Sequence, residues 1–296
     1  MYDNMDDLKQ GLKQKLQAVM AGIALVMLCT APVQADDTEI FIKNVKTSSN
    51  ANIVFVLDSS GSMKDPPKNG DQSKSKIQIV KDVFHDLIFD PKGNGQPNPK
   101  YKNLNLALMR FDKGTDASDN SNGGYFITAM NKLNGQKAND YWDAVNGIQA
   151  DGWTPLAETA YEAFLYFNGE TPKFGSASNP ATNDTGILDG TVYKKPEQKK
   201  NQNGNSQCEL ENHLVILTDG LPTKDGDADS LITGITGTDC DFDNGENCLV
   251  DLASYMNSPP DDSGHEKVTT HTIAFDLGDG TSASTEELWL KSVSDA

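Results

Sequence analysis

A chain of 296 residues with 25 Lys+Arg against 43 Asp+Glu carries a formal net charge of −18. It is long enough for one large α/β domain or two small ones, each with a buried core. Its field repels phosphate backbones and anionic lipid headgroups, which argues against nucleic acid and peripheral-membrane partners and favours cations.

Residues 1–35 read as an export signal. Lys9, Lys13 and Lys15 precede an apolar run from Leu16 to Cys29 interrupted by Gln17 and small residues, and Val33-Gln34-Ala35 fits a small-residue cleavage site before Asp36. The run is shorter than a comfortable membrane span. Asp3, Asp6 and Asp7 offset the three lysines, so cleavage leaves the net charge unchanged. So acidic a start leaves open whether Met5 or a later codon is the initiator. Leu28 before Cys29 is too bulky for a lipoprotein signal. Residues 36–51 form a polar lead-in.

Ile53 to Leu57 is continuously apolar and mostly β-branched, the pattern of a strand buried on both faces of a parallel sheet. At its carboxyl end the chain sets out Asp58, Ser60 and Ser62 at alternate positions, with Gly61 expected to allow a tight turn. Three hard oxygen donors that curl toward one centre suit Mg²⁺, Mn²⁺ or Ca²⁺. Open α/β sheets hold their ligands just beyond the carboxyl ends of their strands. Asp and Ser are also ordinary turn residues, so the spacing gains weight only from residues farther along the chain.

Ile77, Val80, Val83, Phe84, Leu87 and Ile88 mark one face of a helix that ends near Asp90-Pro91. Strands are predicted over Leu104 to Phe111 and Tyr125 to Met130, lying antiparallel at one sheet edge. A helix over Ala138 to Gln149 carries Tyr141, Trp142, Val145 and Ile148. Thr154 before Pro155 has the chemistry of an N-cap followed by Pro at the first helical position. The helix behind it buries Leu156, Thr159, Ala160, Ala163, Phe164 and Phe167. Phe174 to Gln207, about 174–207, is polar and rich in Gly, Asn, Lys and Pro, an inserted surface loop suited to recognition.

His213 to Thr218 is a second unbroken apolar strand, again ending in an acid, Asp219-Gly220. Two buried parallel strands that both finish in Asp at one edge can aim those carboxylates at one point. Two acidic clusters come next, Asp225/Asp227/Asp229 and Asp239/Asp241/Asp243. The second resembles the start of a calcium loop, but its glycine comes one place late and no Glu closes it, so it reads as a solvated acidic loop. A helix over Leu249 to Met256, a strand over Thr269 to Phe275 and a helix from Glu286 to Val293 complete the series. Ala296 interrupts the last of these, so 52–296 reads as one domain truncated in its last helix. Cys208, Cys240 and Cys248 lie beyond the export signal; three pairings are open, and the short acidic loop favours Cys240 with Cys248.

Asp58-x-Ser60-x-Ser62 after a buried strand, Thr154-Pro155-Leu156 opening a helix and Thr218-Asp219-Gly220 after another strand together resemble the von Willebrand factor A domain with its metal-ion-dependent adhesion site. Asp36-Asp-Thr-Glu-Ile-Phe41, Gly152-Trp-Thr-Pro-Leu-Ala-Glu158, Tyr166-Phe-Asn-Gly169 and Thr270-His-Thr-Ile-Ala-Phe275 look most like the N-terminal part of the PilC/PilY type IV pilus tip adhesins. The resemblance implies an α/β, Rossmann-like domain with a mostly parallel central sheet flanked by helices. It implies that Ser60 and Ser62 bind a divalent cation through their hydroxyls, that Asp58 and Asp219 bind directly or through water, and that Thr154 joins in one of two states. It further implies a non-enzymatic adhesion module of a Gram-negative bacterium, exported via the periplasm to the cell surface, pilus tip or outer membrane. Its partner would complete the metal shell with an acidic side chain, and pilus subunits or host surface proteins are the expected sources. Such tip proteins carry a C-terminal propeller-like domain, which is not among these 296 residues. The alternatives are a secreted host- or matrix-binding protein unrelated to pili and an aspartyl phosphotransferase. The latter normally has a second acid where this chain has Ser60. His85, His213, His265 and His271 show no metalloprotease spacing, and there is no phosphate-binding loop or nucleophile elbow.

Overall fold

The computed structural model describes Lys13 and residues 51–68, 72–90, 95–101, 104–112, 123–175, 186–197, 210–240, 248–258, 264–276 and 285–296. The export signal apart from Lys13, the lead-in segment apart from Ala51, Cys208, Asp241 and Asp243 lie outside the described residues. Among the described residues no helix is long and apolar enough to cross a membrane.

Five strands form the central sheet: β1 (Asn52–Leu57), β2 (Asn105–Phe111), β3 (Gly124–Lys132), β6 (Asn212–Thr218) and β7 (Val268–Ala274). A separate two-residue hairpin pairs β4 (Leu188–Asp189) with β5 (Val192–Tyr193). The spatial order of the large sheet is β3-β2-β1-β6-β7. Every pairing in it is parallel except the antiparallel edge β2–β3. The helices are α1 (Lys76–Ile88), α2 (Gly135–Asn146), α3 (Leu156–Asn168), α4 (Asp229–Thr236), α5 (Cys248–Asn257) and α6 (Thr285–Asp295). The expected α/β, doubly wound architecture is therefore present, with helices on both faces.

The two apolar layers follow from the twofold alternation of β1. Ile53, Phe55 and Leu57 face α1 and α2, whereas Val54 and Val56 face α3, α4 and α5. Each fully buried aliphatic side chain of this kind contributes about 1.5–3 kcal/mol relative to exposure, which is why the central strands carry no polar residue between Ile53 and Leu57. Register is set at the opposite end of the sheet. Asn105 Nδ2 donates to Asn52 Oδ1 at 2.8 Å and Asn52 Nδ2 donates to Asn212 Oδ1 at 3.0 Å, so three in-register asparagines lock β2, β1 and β6 together.

Two expectations need correction. Helix α3 is buried on every side from Leu156 to Phe167, including Glu158 and Glu162, so it is not the one-faced helix that its apolar spacing suggests. The region after Phe174 is also more than a surface loop: Phe174, Ile187 and Tyr193 are buried in the core against α3. Residues 176–185 and 198–207 of that segment lie outside the described residues. The insertion is anchored by Glu162, whose carboxylate accepts the Tyr193 hydroxyl and the backbone N–H groups of Lys173 and Phe174. Helix α4 was not anticipated: Leu231, Ile232 and Ile235 do form an apolar stripe against the core, but the helix is only eight residues long and contains Gly234 and two Thr.

Tyr193→Phe removes one donor from the buried Glu162 carboxylate and should lower unfolding stability by about 1–3 kcal/mol. Urea unfolding followed by circular dichroism reads this directly. An unchanged midpoint would show that the insertion is not tied to the core through this contact.

Candidate metal-ion site

The sheet reverses its direction of winding at β1: α1 leads from it to β2 on one side, while β6 lies on the other. The carboxyl ends of β1 and β6 are thus neighbours, and their register places Leu57 opposite Leu217. Asp58 and Asp219 emerge from these two tips.

Asp58 is completely buried and accepts four hydrogen bonds. Ser60 N–H (2.8 Å) and Ser60 Oγ (2.5 Å) donate to Oδ1, while Thr218 Oγ1 (2.6 Å) and Asp219 N–H (3.2 Å) donate to Oδ2. Burial, and then the negative charge of Asp219, push its carboxyl up to about 6, and the Ser60 and Thr218 hydrogen bonds pull the other way. Its acceptor capacity is filled, so Asp58 serves as a charge that orients Ser60 and Thr218.

Ser62 Oγ donates to Asp219 Oδ1 at 2.8 Å and lies 3.0 Å from Ser60 Oγ. Each serine hydroxyl has a single proton. With the Ser60 proton on Asp58 and the Ser62 proton on Asp219, no proton remains for the 3.0 Å contact, and two sets of oxygen lone pairs face one another. A cation between them relieves that repulsion. The donor set is all oxygen, neutral hydroxyls backed by two carboxylates, and it fits a hard divalent ion.

The third predicted segment is brought to the same place. Asp151 N–H donates to Ser59 O at 2.7 Å and Gly61 N–H donates to Gly152 O at 3.1 Å, which stitches the 151–154 loop to the serine loop. Thr154 N–H donates to Thr223 Oγ1 at 3.0 Å, and Thr223 N–H donates to Thr154 O at 3.1 Å, which ties it to the loop after β6. The five residues Asp58, Ser60, Ser62, Thr154 and Asp219 therefore sit on three interlocked loops. Gly152, and not Gly61, is the glycine this packing requires. It has φ of 87°, whereas a Cβ at Gly61 would meet Gly152 O at an ordinary 3.5 Å.

Thr154 is not the N-cap of α3. Pro155 occupies that position, and the donor it leaves open is satisfied from a distance: Ala157 N–H donates to Asp225 Oδ1 at 2.7 Å. Asp225 is buried, unlike a solvated acidic loop residue, and its carboxyl hydrogen-bonds that of Glu158, which also accepts Asp227 N–H at 2.8 Å. Glu158 Oε2 has no N–H or hydroxyl donor among the described residues, so the contact between the two acids needs a shared proton. Burial raises both, and Asp225 further feels the charge of Glu158. The pair braces the loop that carries Asp219 against the helix that follows Thr154.

Sequence reasoning missed two further groups at this edge. Lys76 Nζ lies 2.6 Å from Asp219 Oδ2 and 3.9 Å from Asp276 Oδ2, with all three side chains buried. Asp276 lies two residues beyond the end of β7, so a third strand leading to an acid was the available signal, although β7 interleaves Thr and His with its apolar residues. Lys76 had none, being one lysine among several at a helix start. Elsewhere, Cys240 and Cys248 are bonded to each other, with Cα–Cα 5.3 Å, and Asp229 Oδ1 lies 3.1 Å from Cys248 Sγ. Bonded sulfurs are not thiolate ligands, so this cluster offers a metal one carboxylate. His213 Nδ1 lies 3.1 Å from His271 Nε2 at the far end of the sheet, and burial, then His213, hold His271 down to about 4.

No protein-family model matches the chain, and no curated protein matches it either. Among solved structures it is similar to the PilB minor pilin from Streptococcus sanguinis, at 15% identity and TM-score 0.45, over 83% of this chain and 54% of that one. It is similar to a von Willebrand factor type A protein from Catenulispora acidiphila, at 14% identity and TM-score 0.39, over 83% and 37%. A third is proximal thread matrix protein 1 from the mussel byssus with a zinc-occupied MIDAS motif, at 13% identity and TM-score 0.37, over 76% and 36%. The chain spans at most 54% of the length of these three structures.

The acid pair generates a pH signature. Because the folded values of Glu158 and Asp225 lie above their unfolded ones, the stability they contribute is full at low pH and is lost as pH rises through the folded values. Glu158→Gln supplies an amide donor to Asp225 in place of the shared proton. In EDTA, its unfolding free energy should fall less between pH 5 and pH 8 than that of the wild type, by about 1.4 kcal/mol for each tenfold gain in proton affinity that the substitution abolishes. An identical pH slope in the two proteins would contradict a shared proton.

Proposed function

We propose that this chain is an exported, non-enzymatic adhesion module that binds a protein ligand through a divalent cation at the β1/β6 edge. The observation that carries the reading is the Ser60–Ser62 oxygen pair, whose protons are both committed to carboxylates. Ser60 Oγ, Ser62 Oγ and Asp219 Oδ1 would hold the ion, with Thr154 at hand on its tethered loop and Asp58 as the charge behind Ser60. When bound, the cation supplies an electropositive centre for an outside carboxylate. Neutral hydroxyls leave that positive charge under-compensated, so an acidic side chain of the partner completes the shell. Mg²⁺, Mn²⁺ and Ca²⁺ all suit the donor set. Asp58 is a poor nucleophile for phosphoryl transfer, because each of its oxygens already accepts two hydrogen bonds and Ser60 stands where the companion acid belongs.

The stretches resembling pilus tip adhesins support placing the module at the tip of a type IV pilus, with pilus subunits or host surface proteins as partners. Deleting the gene should abolish or reduce surface pili counted by electron microscopy, together with twitching motility. Normal piliation would contradict the pilus placement and favour a secreted host- or matrix-binding module.

Calorimetric titration of the exported chain with Mn²⁺ tests the site itself. Asp58→Ala should abolish binding, since it removes one of two carboxylates and releases Ser60. Binding should also weaken as pH falls through about 6, where a proton competes with the ion for the Asp58 charge. Unchanged binding in Asp58→Ala would overturn the site assignment.

A further inference from the structure

A buried ammonium is rare, and Lys76 is in addition the first residue of α1, where the positive end of the helix dipole disfavours a cation. Neither burial nor helix formation accounts for its place. The two carboxylates do: Nζ lies 2.6 Å from Asp219 Oδ2 and 3.9 Å from Asp276 Oδ2, with side chains 8%, 2% and 3% exposed. Asp276 is held from the far side, both of its oxygens accepting Lys68 N–H at 2.8 and 3.1 Å, on a backbone with φ of 57°. Asp219 is thus divided, with Oδ1 turned to Ser62 and Oδ2 turned to Lys76.

We infer that Lys76 is a resident counter-cation of the metal site, which occupies the outer oxygen of Asp219, leaves only Oδ1 for the ion, and so trades cation affinity for affinity toward an outside carboxylate. The inference rests on the metal-site reading above. Asp58 and Asp219 bring two negative charges to the inner shell, Asp276 adds a third on the far side of Lys76, and Lys76 returns one positive charge. A divalent ion added to that set is less fully neutralised by the protein than it would be without the ammonium. The implied ligand class is anionic: a carboxylate gains more from the loaded site than a neutral donor does, because it supplies negative charge that the ammonium has offset.

Free Mn²⁺ counted by electron paramagnetic resonance tests this on the full chain as wild type, Lys76→Met and Lys76→Arg. Lys76→Met should bind Mn²⁺ at least about ten-fold tighter, since a unit positive charge a few ångströms from the ion is gone. Lys76→Arg, which keeps the charge, should stay close to wild type. Acetate, the simplest carboxylate probe, should increase Mn²⁺ retention by wild type more than by Lys76→Met. Unchanged or weaker Mn²⁺ binding in Lys76→Met, or equal enhancement by acetate, would overturn the inference while leaving the metal site standing. Should Lys76→Met fail to fold, Lys76→Met/Asp276→Asn removes one charge of each sign and is compared with Asp276→Asn alone. The double variant should bind more tightly, and equality overturns the inference. Binding by Lys76→Met but not by wild type would support it, and absence of binding in every variant would overturn both readings.

Discussion

The structure depends on bringing like charges together at the tips of two adjacent buried strands. Asp58 and Asp219 sit where the sheet changes its winding direction, and Asp58 is sealed from water while Asp219 repels it. That arrangement is unfavourable unless hydrogen bonds and a positive charge offset it. The chain provides hydroxyls from Ser60, Ser62 and Thr218 and the ammonium of Lys76. A region so heavily compensated, at the one edge where this fold gathers loops from several strands, is built for charge.

The surrounding structure holds these loops in place. The 151–154 loop is joined by backbone hydrogen bonds to the serine loop on one side and to Thr223 on the other. Behind it, Glu158 and Asp225 share a buried contact that fastens the loop after β6 to the start of α3. Close packing continues at Gly124, where a Cβ would collide with the Thr159 side chain, so β3 and α3 approach as near as a missing side chain allows. Displacing any one of the three site loops therefore disturbs the others.

The central strands were legible because burial on both faces leaves an unbroken apolar run, as in Ile53 to Leu57 and Leu214 to Leu217, and Asp58 and Asp219 just beyond them were legible for the same reason. The composition of the site loops was likewise readable from hydroxyl and carboxylate spacing. What the sequence concealed were contacts between distant segments. Thr154-Pro155 has the local chemistry of a helix cap, yet the cap comes from Asp225, some seventy residues on. Glu158 and Glu162 break the apolar pattern of α3 and are nonetheless buried, because partners in other segments, Asp225 and Tyr193, supply the hydrogen bonds that make burial tolerable. Lys76 is the same case with the opposite charge, since nothing near it in the chain marks it as buried.

Anomalous diffraction from crystals grown with Mn²⁺ tests the central claim most directly. A single strong peak about 2.0–2.6 Å from both Ser60 Oγ and Ser62 Oγ, the range for oxygen ligands of hard cations, with Asp219 contributing Oδ1 and Lys76 still on Oδ2, is the predicted result. A bound ion found elsewhere, with the Ser60 and Ser62 hydroxyls still on their carboxylates and ligand-free, would contradict the account.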